Sequence, residues 1–163
     1  MSDDPPNGPL VAAYQFVVTL DGADAYLSQS MASMAADNPA AGFQEVSGLE
    51  ATLEVLSYPE GGVNSFLHKF PTRHSWGRIV LKRGVVSDPV LWSWYEAGLF
   101  GALGARRDGS IILRDPNSQA VVGWSFVAGL AAKWTGPALN SMQNAVAIES
   151  LEIEHQGLFV NKF

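Results

Sequence analysis

The chain has 163 residues, of which 47% are apolar and 16% charged, with a formal net charge of −6 and no cysteine. That length suits one domain with a sizeable core, and that composition excludes a disordered chain. The missing cysteine excludes disulfides, thiol catalysis and thiolate metal sites, and the acidic balance without a basic patch argues against general nucleic-acid binding.

Residues 1–10, MSDDPPNGPL, read as a flexible arm, because three prolines and a glycine oppose regular structure. The arm lacks the basic and apolar regions of a secretory signal, so the expectation is a protein made in the cytoplasm without a signal peptide. No apolar run approaches the roughly 20 residues of a membrane helix, so no membrane insertion of its own is expected. Residues 11–163 are expected to form a single β domain. Its first strand is predicted at Ala13–Leu20 and ends at Asp21-Gly22.

Residues 23–41, ADAYLSQSMASMAADNPAA, form an inserted segment rich in alanine, serine and methionine. Two readings fit it. One is a loop. The other is a short helix whose Met31 and Met34 fill gaps on a neighbouring subunit.

Gly42–Pro71 reads as one long β-hairpin. Leu49, Ala51, Leu53 and Val55 alternate with Glu50, Thr52 and Glu54, the period-2 pattern of a strand with one buried and one wet face. The turn is Tyr58-Pro59-Glu60-Gly61-Gly62, and the return strand is predicted at Val63–Phe70, closed by Pro71. Trp76–Arg83 is predicted as the next strand. A helix is predicted over Pro89–Ala97, capped by Asp88, with an apolar stripe of Leu91, Trp92, Tyr95 and Leu99 and a stop at Gly98. Three more strands follow at Ser110–Asp115, Ala120–Gly129 and Ala145–Gln156. The connection Leu130–Asn144 carries Lys133-Trp134-Thr135-Gly136-Pro137. Trp134 in that loop is the best interface anchor, with Pro137 beside it. The fold class is mainly β: an antiparallel β-sandwich or small barrel of about seven strands, with one flanking helix and the long hairpin.

The sequence carries no catalytic arrangement. His68, His74 and His155 lack metal-ligand spacing, and Glu152 and Glu154 point away from His155 on a strand. The chain has no Gly-x-Ser-x-Gly elbow and no phosphate-binding loop, and Gly98, Gly101 and Gly104 follow a helix rather than a strand. The expectation is therefore no enzyme, no cofactor and no metal.

Several stretches carry a resemblance in the right order. They are Phe43-Gln44-Glu45-Val46-Ser47-Gly48-Leu49, Tyr58–Gly62, His68-Lys69-Phe70-Pro71, Ile79–Gly84, Leu91–Tyr95, Trp124-Ser125-Phe126, Lys133–Asn140 and Ile148–Leu158. Together they resemble the contractile-phage tail-tube family, including tube proteins of phage-like extracellular contractile injection systems. The segment 23–41 departs from that pattern. The resemblance implies hexameric rings stacked into a tube, with two hairpins per subunit closing a 24-stranded barrel. At ~4.8 Å between strands, such a barrel is at least roughly 37 Å across. Implied partners are further copies of the chain, a contractile sheath, baseplate or tube-initiator proteins, and a translocated cargo. Glu50, Thr52 and Glu54 become the candidates to line the lumen, with the odd-numbered face turned to the subunit core. The alternatives are a tube-initiating paralogue near the baseplate and a secreted ring protein of the type VI kind.

Overall fold

The computed structural model describes residues 15–20, 42–62, 64–87, 89–101, 105–142 and 144–162. The N-terminal arm, the segment 23–41 with Met31 and Met34, and Asp88 lie outside the described residues. Among the described residues nine strands and one helix are seen, in the order β1 (Phe16–Leu20), β2 (Phe43–Ser47), β3 (Ala51–Tyr58), β4 (His68–Trp76), β5 (Ile79–Gly84), α1 (Val90–Phe100), β6 (Arg107–Arg114), β7 (Ala120–Thr135), β8 (Ile148–Glu154) and β9 (Gly157–Lys162).

All strand pairs are antiparallel, and β7 organises them. Its N-terminal part lies between β6 and β9, and its C-terminal part pairs with β8. One layer is therefore β1-β6-β7-β9 and the other β2-β5-β8-β7, two antiparallel sheets joined through one bent strand rather than a closed barrel. The bend falls at Ala128, which takes φ 53°, a left-handed conformation unusual for alanine. Two side chains hold it there. Asp108 Oδ1 accepts from the Ala128 N–H at 2.7 Å, and Arg106 donates to the Ala128 carbonyl at 3.1 Å. Next to it Gly129 is required, since a Cβ there would meet the Phe126 ring at 2.6 Å and the Arg107 carbonyl at 2.9 Å.

The core lies between the layers. Val18, Leu20, Ile111 and Phe126 come from one, Ile79, Leu81, Ala131, Leu151 and Ile153 from the other, and Leu91 and Trp94 from the helix. Strict alternation puts them there: Ile79, Leu81 and Arg83 point inward on β5, and Glu149, Leu151 and Ile153 on β8. Burying each aliphatic side chain contributes roughly 1.5–3 kcal/mol. The two inward charges meet. Arg83 Nε donates to Glu149 Oε1 at 2.6 Å, with both side chains almost fully buried.

Several sequence expectations are corrected. The helix runs through Gly98 to Phe100 and ends at Gly101, whose N–H bonds the Ala97 carbonyl. Its inward residues are Leu91 and Trp94, whereas Trp92 and Leu99 are exposed. Trp94 is fixed by its indole N–H to the Ala105 carbonyl at 2.7 Å and by the Arg107 guanidinium over its ring. Trp134 lies not in a loop but in β7, which continues six residues beyond Gly129. The last predicted strand, Ala145–Gln156, is the shorter β8, and the chain folds at His155-Gln156 into a further strand that was not predicted, β9, so that β8 and β9 pair with different parts of β7.

Candidate functional site

The hairpin β3–β4 stands apart from both layers. It forms a two-stranded sheet of its own. It is nevertheless continuous with β2 and β5. Val46 faces Leu81, Ser47 faces Val80, Ala51 faces Trp76 and Leu53 faces His74, one unbroken register. The long hairpin is thus real, but its return arm extends past Pro71 to Gly84. Pro71 sits inside β4 opposite Val55 rather than ending a strand. It is tolerated because β4 is an edge strand with no further neighbour among the described residues.

Where the ribbon leaves the body, two glycines face each other. Gly48 has φ 80°, and a Cβ on it would run into the Arg78 carbonyl. A Cβ on Gly77 would lie 2.8 Å from that of Glu50 and 2.9 Å from the Gly48 carbonyl. Only glycine lets the two backbones cross this closely. His155 braces the junction, with a ring nitrogen 3.0 Å from the Gly77 carbonyl oxygen.

Beyond the junction the odd-numbered face does not enter a subunit core. Ala51, Leu53 and Val55 are exposed, and only Leu49 packs against the core. Thr52 and Glu54 do share one face, opposite those residues. Glu50 stands at the junction, also exposed.

A bulge lies midway. Between the pairs Leu53–His74 and Val55–Pro71, β4 spends one residue more than β3. Thr72 Oγ1 donates to the Glu54 carbonyl at 3.0 Å, and Arg73 pairs with the Glu54 carboxylate at 3.2 Å. Polarity inverts across this bulge. On one face Ala51, Leu53, Val55, His74 and Trp76 give way to Ser57 and Lys69, which bond each other at 2.6 Å. On the other, Thr52, Glu54 and Ser75 give way to Leu56, Tyr58, His68 and Phe70. The sequence carries the signal: Leu56 and Tyr58 fall on even positions, out of step with Leu53 and Val55. The alternation reading missed it. At the tip, His68 stacks on Phe70, lies edge-on to Phe66 and pairs with Glu60 at 2.7 Å.

The body beside the ribbon is charge-balanced on its solvent face. Lys82 pairs with Glu45, Arg78 bridges Glu152 and Glu154, and Lys133 holds Glu152. Hydrogen bonds from Lys133 and then Arg78 keep the Glu152 carboxyl below the ordinary carboxylate range. Glu152 and Glu154 are thus turned to cations on one face while His155 points to the other, and among the described residues no three side chains gather as a metal site.

Trp134 is half-buried. Its ring lies edge-on to Trp92 at 4.9 Å, and its indole N–H donates to Glu149 Oε2 at 3.0 Å. Pro137 follows in the 136–147 connection, partly exposed. No helix among the described residues is long and apolar enough to cross a membrane.

A family model, T4-like virus tail tube protein gp19, matches residues 12–159. No curated protein matches the chain. Among solved structures, a chain of the anti-feeding prophage baseplate, six-fold symmetrised, superposes with TM-score 0.77 at 24% identity, covering 96% of this chain and 97% of that one. A chain of the anti-feeding prophage tube-terminating cap gives 0.77 at 20% identity, covering 99% and 97%. A chain of the PVC sheath–tube complex, an extracellular contractile injection system in its extended state, gives 0.75 at 18% identity, covering 94% and 93%. At these identities the likeness is one of fold.

Proposed function

Since the chain belongs to the T4-like virus tail tube protein family, a structural family and not an enzyme family, we propose that it is the inner-tube subunit of a contractile tail or contractile injection system. Six copies close into a ring, and rings stack into a tube. A contractile sheath surrounds the tube, a baseplate ends it and a cargo passes along its bore.

One observation carries the reading. The hairpin β3–β4 is solvated on both faces and paired with nothing else in the described chain. An isolated two-stranded hairpin is marginal in water, and open edges invite pairing. Placing hairpins of neighbouring copies edge to edge removes those edges and covers one face. Closing the set into a barrel leaves none open. Thr52 and Glu54 then face the bore with Glu50, and Leu53 and Val55 turn to the neighbouring wall. The six-fold symmetrised relative supports a ring of six.

Electron microscopy of the purified protein at rising concentration tests this. Annular particles with a central hole, stacking as concentration rises, are expected. Monomers at every concentration, with or without a baseplate partner, would contradict it. A second reading, a tube-initiating paralogue, draws on the baseplate neighbour and on the inserted segment 23–41. It predicts rings that do not stack on their own kind.

A further inference from the structure

The two layers of the body turn unlike faces outward. On β1-β6-β7-β9 one outward row is Thr19, Ser110, Ser125 and Phe159, matched across four strands and without a charge. The outward face of β2-β5-β8-β7 is charged and ion-paired throughout: Lys82 with Glu45, Arg78 with Glu152 and Glu154, Lys133 with Glu152. This second face runs on into the hairpin. Trp76 lies 6.1 Å from the His155 ring, and His155 lies 6.3 Å from the core ring of Phe126. The Trp76 side of the hairpin therefore continues the core side of the sheet. The opposite side, with Thr52 and Glu54, continues its solvent face, and Arg73 pairs there with Glu54. Beyond the bulge that side turns to Leu56, Tyr58 and Phe70, so the charged track ends at Glu54. With Glu50, the track holds five carboxylates against four cations, a net −1 in a chain of net −6.

On the tube reading above, we infer that this ion-paired track lines the bore beside Thr52 and Glu54, and that it makes the bore a charge-compensated path for a protein cargo of either net charge. A barrel closed from hairpins takes in the sheet that shares their register, and solvated charges belong on its water-filled side. No ion pair of the track is longer than 3.2 Å. Opposite charges so close cancel at longer range, and salt screens the remainder within about 8 Å. The axis of a bore roughly 37 Å across lies beyond that reach. Rings of unpaired like charge would instead add, holding cargo of the opposite sign and excluding cargo of the same sign. Every cation of the track already has a carboxylate, so a phosphate backbone finds no free cation there, and the fitting cargo is a protein rather than a nucleic acid. Arg78 and Lys133 set this indifference most, because together they neutralise Glu152 and Glu154.

Position and charge are tested separately on assembled tubes. The chain has no cysteine, so a single introduced thiol reports its own place. Ser150 pairs with Lys82 and shares its face. Ser150→Cys should react with a small maleimide in tubes but not with a maleimide carried on a protein wider than the bore; both should react with the dissociated chain. Charge is read from the retention of two fluorescent peptides of one length, one rich in lysine and one in glutamate. Wild-type tubes should pass both alike at low salt. Arg78→Gln with Lys133→Gln should retain the lysine-rich peptide more than about tenfold over the other, and high salt should abolish the difference. Adding Glu152→Gln and Glu154→Gln should restore indifference. Lys82→Gln, which frees Glu45 alone, should sort the peptides in the same direction and less strongly, so the test does not hang on the folding of one variant. A wild-type bore that sorts the peptides, cation variants that do not, or a Ser150→Cys tube that reacts with the wide reagent would each overturn the track. A wild type that forms no rings would overturn the tube reading itself, which is seen before any variant is made.

Discussion

The ribbon β2–β3/β4–β5 keeps one register from Glu45–Lys82 to Leu53–His74 and runs through two unlike environments. Within the body, alternate residues disappear into a shared core: Ile79, Leu81 and Arg83 on one arm, Val46 and Leu49 on the other. Beyond Gly48 and Gly77, the same alternation points at water on both sides. The body is stabilised by its own chain, whereas the hairpin has only cross-strand pairs and a bulge brace. On the proposed tube reading, the difference teaches that exposed apolar residues on the hairpin are not surplus core but surface held for other copies.

That contrast can be broken most severely from the body. Glu149→Ala leaves Arg83 buried without its carboxylate and removes the acceptor of the Trp134 indole. A loss of about 3–5 kcal/mol in denaturant unfolding is expected. A near-neutral result would mean that the body does not depend on this pair. Gly48→Ala attacks the junction. It forces a Cβ into the Arg78 carbonyl at positive φ and should cost about 1–3 kcal/mol or shift the hairpin out of line. Unchanged stability together with unchanged tubes would deny the junction its role. The hairpin itself should behave in the opposite way. Leu53→Asn with Val55→Asn should leave the melting temperature of the monomer nearly unchanged while abolishing rings, measured by calorimetry and sedimentation. A large drop in monomer stability would show that these side chains support their own chain after all.

Glu50→Gln with Glu54→Gln should leave rings intact, because the proposed tube turns these side chains to the bore rather than to a subunit contact. Lost rings in sedimentation would move them to an interface. The smallest effect belongs to Glu152. Its carboxyl is depressed in the folded chain by Lys133 and Arg78. Its contribution is therefore present above the unfolded carboxylate pKa and fades as pH falls through the lower folded one. Glu152→Gln should lower stability slightly at neutral pH, make no difference once the pH is below the folded carboxylate pKa, and so flatten the acid limb of a stability–pH curve. An unchanged acid limb would contradict the pairing.

Much of this was legible in the sequence, for local reasons. The period-2 run from Leu49 to Val55 and the Pro59–Gly62 turn announce a hairpin. Ile79–Leu81 and Leu151–Ile153 announce inward faces. What escaped depends on neighbours far along the chain. Pro71 reads as a stop, yet it sits beside the bulge of a strand with a single ladder partner among the described residues. Trp134 reads as a loop residue because Gly129 reads as the end of its strand, but Gly129 marks the bend at which β7 passes from one sheet to the other. His155-Gln156 carries no strong turn signal. The fold there is set by β9 returning to β7, with the Gln156 N–H bonded to the Val127 carbonyl at 3.0 Å. The outward fate of Leu53 and Val55 is hidden for a different reason, since periodicity tells that a face is apolar and not whose core it joins.

Hydrogen exchange, residue by residue, compared between dissociated protein and assembled tubes, tests the central claim most directly. The account predicts amides of β5 and β8 protected in both states, with those of β3 and β4 exchanging quickly in the dissociated chain and becoming protected in the tube. Hairpin amides already as slow as those of β5 before assembly, or still fast within the tube, would contradict it.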